Sequence, residues 1–234
     1  MPVRTPRKPK PPPAFTGERA DSASIAALRR QAEHCTRCDL YKDATQVVFG
    51  EGPPHAPVVL VGEQPGDRED EAGKPFVGPA GRLLDECLEQ AGVDRALCYV
   101  TNAVKHFKFE RRGKRRLHAR PNAGEIQRCA WWLAAEIELL EPRLIVALGA
   151  TALYTLMGRS VGLTQERGRI VKTVNGTPLL VTVHPSYLLR IRDRAEAQAA
   201  RQAFVEDLER VTSFLGEGEK GTRLASPLNE APAK

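Results

Sequence analysis

No run of roughly 18 apolar residues occurs anywhere in the sequence, which excludes a helix able to cross a membrane. Internal repeats are also lacking, so the chain is not read as a repeat array. The segment MPVRTPRKPKPPP has no apolar core of the kind a secretory leader needs. A cytoplasmic, reducing setting is therefore expected, with the five cysteines kept as thiols or metal ligands rather than disulfides. Acid is in modest deficit: 35 Lys and Arg stand against 29 Asp and Glu, a formal net charge of +6. Spread evenly, such an excess would say little about partners.

The charge is not spread evenly. Residues 105–120, KHFKFERRGKRRLHAR, hold eight Lys or Arg, two His and a single acid, Glu110. Charge that dense suits a loop gripping a phosphate backbone, although a disordered basic linker would look similar. With 234 residues and 41% hydrophobic side chains, one globular domain over residues 22–215 is expected. Residues 1–21 begin with six Pro and four Lys or Arg in thirteen positions and read as a solvated tail, as do residues 216–234. Nothing in the pattern demands an interface, so a monomer is expected.

Within the domain, strand-like and helix-like segments alternate. Ser22 or Ser24 caps a helix to about His34. Val58–Val61, Tyr99–Thr101, Leu144–Leu148 and Leu179–Val183 are short apolar runs of the kind buried on both faces of a parallel sheet. Helices are expected over about 80–91, from Asn122 to about Leu140, over 150–157 and over 194–214. The alternation predicts an α/β layered fold with a mainly parallel, four-stranded sheet. Ligands of such sheets sit at the carboxyl ends of strands. Two segments occupy those ends, Gly62-Glu63-Gln64-Pro65-Gly66 and His184-Pro185-Ser186.

Glycines of the first segment let backbone N–H groups near Gln64 and Asp67 approach a ligand. Phe76 lies among turn residues, outside any periodic apolar face, where an aromatic ring serves either core packing or stacking on a flat base. His184, taken alone, reads as a core histidine. Cys35 and Cys38 at CxxC spacing, with Cys129 far downstream, offer three soft ligands. Cys87 and Cys98 read as small packed side chains.

Taken in order, CTRC (35–38), VFGEG (48–52), GEQPG (62–66), PFVGPAG (75–81), VTN (100–102) and HPSYLLR (184–190) resemble the uracil-DNA glycosylase superfamily, and within it the iron–sulfur branch, family 4. Gln64 and the inserted Lys114-Arg115-Arg116-Leu117-His118 are similar to the UdgX group, whose members end covalently attached to uracil-containing DNA. The resemblance implies a three-layer α/β/α domain that binds uracil through Phe76, Asn102, Gln64 and His184. It implies catalytic roles for His118, Glu63, His184, Gln64 and Asp67, with His118 capturing the sugar and Glu63 orienting its ring. DNA contacts are expected from Lys114, Arg115, Arg116, Ser186 and Arg190, with single-stranded DNA preferred.

Family 4 proteins carry a third cysteine just after the TN strand, where this chain has His106. The resemblance thus implies a [4Fe–4S] cluster on Cys35, Cys38, His106 and Cys129, while spacing alone leaves a structural Cys₃His zinc site open. Two other functions stay open: a conventional family 4 glycosylase that turns over, and a non-catalytic iron–sulfur module that recognises uracil.

Overall fold

The computed structural model describes residues 19–223. Strand β1 (Val58–Gly62) lies between β2 (Cys98–Asn102) and β5 (Leu144–Leu148), parallel to both. β7 (Pro178–Thr182) continues the parallel set beside β5. The four parallel strands match the four apolar runs. A fifth, β6 (Ile170–Lys172), extends the sheet antiparallel to β7, giving the order β2-β1-β5-β7-β6. The sequence expectation of four strands is corrected on this point. β6 spans three residues and its outer two are exposed, so no apolar run marks it.

Alternate residues of each parallel strand feed opposite layers, as the period of two requires. Val58, Leu60, Val100, Val146 and Leu180 pack on α3 (Pro79–Gln90), through Leu84 and Leu88, and on α8 (Arg194–Arg223), through Phe204 and Leu208. Val59, Val61, Tyr99, Ile145, Ala147 and Val181 face α4 (Ala123–Leu140), through Leu133 and Ile137, and α5 (Ala150–Met157), through Leu153 and Leu156. The result is an α/β/α sandwich with both sheet faces buried. A third apolar cluster sits to one side, where α1 (Ile25–Ala32) packs on α4 around Leu28, Phe49, Trp132 and the three cysteines Cys35, Cys38 and Cys129. Cys87 and Cys98 lie in the first layer, wholly buried.

Element ends follow the capping chemistry. Ser24 accepts the N–H of Ala27 at the start of α1. Asn122 and Glu125 form a reciprocal capping box at α4. α8 runs to Arg223, past the Phe214 limit expected from sequence and into the stretch expected to be unstructured from residue 216. At the other end, Ala20 is buried and Arg19 pairs with Glu138, so order begins inside the expected tail. Residues 1–18 and 224–234, which the tail expectations also cover, lie outside the described residues.

The basic stretch is not a loop. It forms an antiparallel hairpin, β3 (Phe109–Arg112) with β4 (Arg115–His118), turning at Gly113 and Lys114. Gly113 takes φ +60°, the left-handed conformation that a two-residue hairpin turn asks of its first position.

Candidate active site

The carboxyl ends of β1, β2, β5 and β7 open into one cavity of about 850 Å³. Glu63 and Gln64 enter it after β1, Asn102 ends β2, Thr151 follows β5 and His184 follows β7. Phe76 and His118 complete the wall. The residues expected to bind uracil are therefore drawn to one place from four separate stretches of chain.

Close backbone approach makes this possible. A Cβ on Gly62 would stand 2.3 Å from Asn102 Oδ1 and 2.7 Å from Phe76 Cζ, so only glycine lets the amide and the ring converge there. Phe76 itself has φ +57°, an unfavourable conformation for an L-residue, and its ring stacks on His184 with centroids 6.1 Å apart. The carbonyl of Phe76 lies where a Cβ on Gly81 would be, at 1.6 Å, so α3 can press against this turn only because residue 81 is glycine. The buried carboxylate of Glu69, in α2 (Asp67–Ala72), joins the two loops by accepting Gly66 N–H at 3.0 Å and Gly78 N–H at 2.6 Å. The sequence reading missed Glu69. Its position three residues after the Gly66 cap is a capping-box spacing that would have found it.

His184 has a defined tautomer. Its Nδ1 accepts the backbone N–H of Ser186 at 3.1 Å, so Nδ1 carries no proton and the ring proton lies on Nε2. The Ser186 hydroxyl lies 2.9 Å from the same Nδ1. Burial pushes the imidazole down to about 4, and the charges of His118 and Arg190 act in the same direction. His184 is thus a neutral N–H donor at physiological pH.

Gln64 does not have a free side chain. Its amide donates to the carbonyls of Lys108 and Ala119, at 3.1 and 3.0 Å, and accepts the N–H of Lys108 at 3.1 Å. These bonds clamp the two legs of the hairpin where it leaves the core. Arg116 fastens the hairpin further along: its guanidinium meets Asp67 Oδ1 at 2.6 Å and Asp70 Oδ2 at 2.5 Å. So anchored, β4 carries His118 to the cavity wall, its Nε2 3.4 Å from Glu63 Oε1. Thr151 Oγ1 donates to the other oxygen of Glu63, a contact that no sequence pattern signals.

The expected DNA-contacting residues fall into three groups. Lys114 and Arg115 are exposed at the hairpin tip. Arg190 is exposed at the cavity wall. Arg116 and Ser186 are engaged within the protein, on acids and on His184 respectively.

Cys35, Cys38 and Cys129 share one apolar cluster, where Cys35 Sγ accepts Trp132 Nε1–H and Cys129 Sγ accepts Lys105 N–H, both at 3.1 Å. His106 is the next residue after Lys105 and is 4% exposed, with Nδ1 buried and without a hydrogen-bond partner. Among the described residues, no three His, Cys, Asp or Glu side chains form a ready single-ion site. The donor set nonetheless suits a soft metal group: three thiols share one dry cluster, and an orphaned imidazole nitrogen lies next along the chain.

A mainly parallel α/β sandwich thus presents an aromatic ring, an amide and a neutral imidazole at its strand ends, in one cavity. Residues 49–209 match the family model for the uracil DNA glycosylase superfamily. The type-4 uracil-DNA glycosylase of Thermotoga maritima is 40% identical over 189 residues, covering 80% of this chain and 93% of that one. The Pyrobaculum aerophilum enzyme of the same type is 38% identical over 83% of this chain and 94% of its own, and that of Saccharolobus solfataricus 31% over 86% and 96%. The chain belongs to the uracil DNA glycosylase superfamily, on the type-4 side of it.

Proposed function

We propose that the protein excises uracil from DNA. The observation that carries this reading is the convergence of Phe76, Asn102 and the Nε2–H of neutral His184 in one cavity. Uracil departs as an anion from a sugar that becomes oxocarbenium-like, so the site must hold negative charge on the base. Phe76 stacks on the ring and the Asn102 amide pairs with its edge. His184 donates to the carbonyl that gains charge, a kind of contribution commonly worth ~3 kcal/mol for a preorganised donor. Single-stranded DNA is the favoured substrate, because a base already outside a duplex avoids an unstacking cost on the order of a few kcal/mol. Action as a monomer is part of the same reading.

Two fates are open to the sugar cation. Capture by water, with turnover, is the reading that similarity to type-4 enzymes supports. Covalent capture by His118 is the reading that the hairpin supports, since it holds an imidazole against both the cavity and a carboxylate. In the second route the C1′–N1 bond breaks with its electron pair leaving on uracil. The unprotonated ring nitrogen of His118 then bonds to C1′, and the remaining N–H proton of the resulting imidazolium passes to Glu63. A tethered nucleophile outcompetes water through effective molarity. The N-alkyl imidazole has no good leaving group, so the adduct persists.

Cys35, Cys38, His106 and Cys129 would hold a [4Fe–4S] cluster, which would brace the base of the hairpin. The supporting observations are the shared thiol cluster and the orphaned Nδ1.

Mixing the protein with uracil-containing single-stranded DNA and resolving it on a denaturing gel tests the function. A heat- and SDS-resistant band that His118→Ser abolishes, while uracil release continues, supports capture. Alkali-labile product without the band supports turnover. Absence of both products sinks the enzymatic reading.

A further inference from the structure

We propose that Thr151 is a positioning residue that fixes the Glu63 carboxylate, leaving one oxygen directed at the reacting group. The inference rests on the reading of Glu63 as proton acceptor and holds for either fate of the sugar.

Glu63 ends a long side chain at the start of a loop, so something must select its rotamer. Three groups bracket it. Arg120 Nε lies 3.9 Å from Oε2, but its side chain is 68% exposed, and an ion pair in that setting is too weak to fix a conformer. His118 Nε2 faces Oε1 at 3.4 Å and is itself half exposed. Thr151 is different: it is 2% exposed and its hydroxyl donates to Oε2.

The hydroxyl is rigidly placed. Thr151 lies in the first turn of α5, which leaves β5 through Gly149 alone. Its carbonyl accepts the Thr155 hydroxyl at 2.8 Å, and Thr155 is wholly buried. β-Branching narrows the choice of χ1 in a helix. A threonine hydroxyl has one proton to give. Giving it to Oε2 leaves Oε1 as the oxygen offered to His118, or to a water in its place.

Wild type, Thr151→Val and Thr151→Ser are compared on a uracil-containing single-stranded oligonucleotide, following uracil release and adduct formation separately. Valine keeps the volume and removes the donor. Adduct formation should fall roughly tenfold more than uracil release in Thr151→Val, about the effect of one hydrogen bond to a charged group. Serine should restore most of it. Loss of both steps in equal proportion, or failure of serine to rescue, would show a structural role only and overturn the proposal. An unchanged ratio of the two rates in Thr151→Val would overturn it as well.

The outcome is separable from that of the functional reading. If wild type releases uracil but makes no adduct, capture by His118 fails while Thr151 stays testable through turnover. In that case Thr151→Val should lower kcat at nearly constant KM, with serine rescue. A rise in KM alone would then overturn the proposal. Melting temperatures of both variants establish that the comparison is between folded proteins.

Discussion

Arg116 Nη1 lies 2.5 Å from Asp70 Oδ2, and that carboxylate has no exposed surface. Asp70 also accepts the N–H and hydroxyl of Thr45. One arginine of the basic stretch is therefore committed to holding the hairpin down, while its neighbours Lys114 and Arg115 remain exposed. Clustered charge in the sequence conceals two different roles.

The roles separate by experiment. Arg116→Met should free the hairpin, because a buried carboxylate loses its cation, a change costing about 3–5 kcal/mol where the site is fully closed. Faster tryptic cleavage after Arg111 or Lys114 and slower adduct formation are expected. Lys114→Ala and Arg115→Ala should leave cleavage elsewhere in the hairpin unaltered and weaken DNA binding. For single strands, each lost phosphate contact reduces the slope of log affinity against log salt by about 0.7. Should Arg116→Met change only that slope, the anchoring role is wrong.

Most of the sandwich was legible because its four parallel strands are buried on both faces and so appear as unbroken apolar runs. β6 escaped because a three-residue edge strand has little apolar surface to show. The hairpin escaped for a related reason: Arg111, Arg112, Lys114 and Arg115 are all exposed, and its inner face is held by Arg116 and His118 on carboxylates rather than by an alternating apolar set. In the site, Phe76 and His184 were placed by turn punctuation and a strand end, but their roles, and that of Asn102, followed only from the resemblance to the glycosylase family. Thr151 was not marked at all, since a polar residue in the first turn of a helix is ordinary and its partner is 88 positions away.

His184 makes stability depend on pH in a definite direction. Its folded value of about 4 lies below the unperturbed 6.5, so the unfolded chain takes up this proton first as pH falls. Stability is unaffected by the group above pH 6.5 and declines between 6.5 and 4. The full decline is about 3 kcal/mol at the usual 1.36 kcal/mol per unit. Urea midpoints measured across this window should fall less steeply in His184→Gln. Excision should show no acid limb from His184 down to about pH 5, because the ring stays a neutral donor. A limb centred near 6.5 that persists in His118→Ser and disappears in His184→Gln would mean that the ring is not buried in solution.

Lys105 and Glu136 form a wholly buried pair at 2.5 Å, with Thr101 Oγ1 and the Asn102 carbonyl as further acceptors of the lysine. Tyr99 donates to the same glutamate, and its hydroxyl is pushed up first by burial and then by that negative charge. Lys105→Met should cost about 3–5 kcal/mol, since it strands Glu136 without a countercharge. Combining it with Glu136→Gln, which removes the charge and keeps an acceptor for Tyr99, Thr101 and the Gly50 N–H, should recover part of that loss. Denaturant midpoints of the two singles and the double decide it, and strict additivity would refute the coupling.

The thiol cluster sets the last expectation. Burial pushes Cys129 up to about 12, so without a cation this sulfur stays protonated even though Lys105 lowers it somewhat. Binding a metal group supplies the positive charge that makes the thiolate and folds the region around it. His106 contributes a buried nitrogen with no other partner. Aerobically purified protein should accordingly be brown, with iron rather than zinc as its bound metal. His106→Ala should lose iron and colour readily to a chelator. His106→Cys should keep both, since a thiolate replaces a neutral donor in the same dry surroundings. Colourless protein holding stoichiometric zinc would exclude the cluster, and a His106→Ala protein as resistant to chelation as wild type would remove His106 from the ligand set.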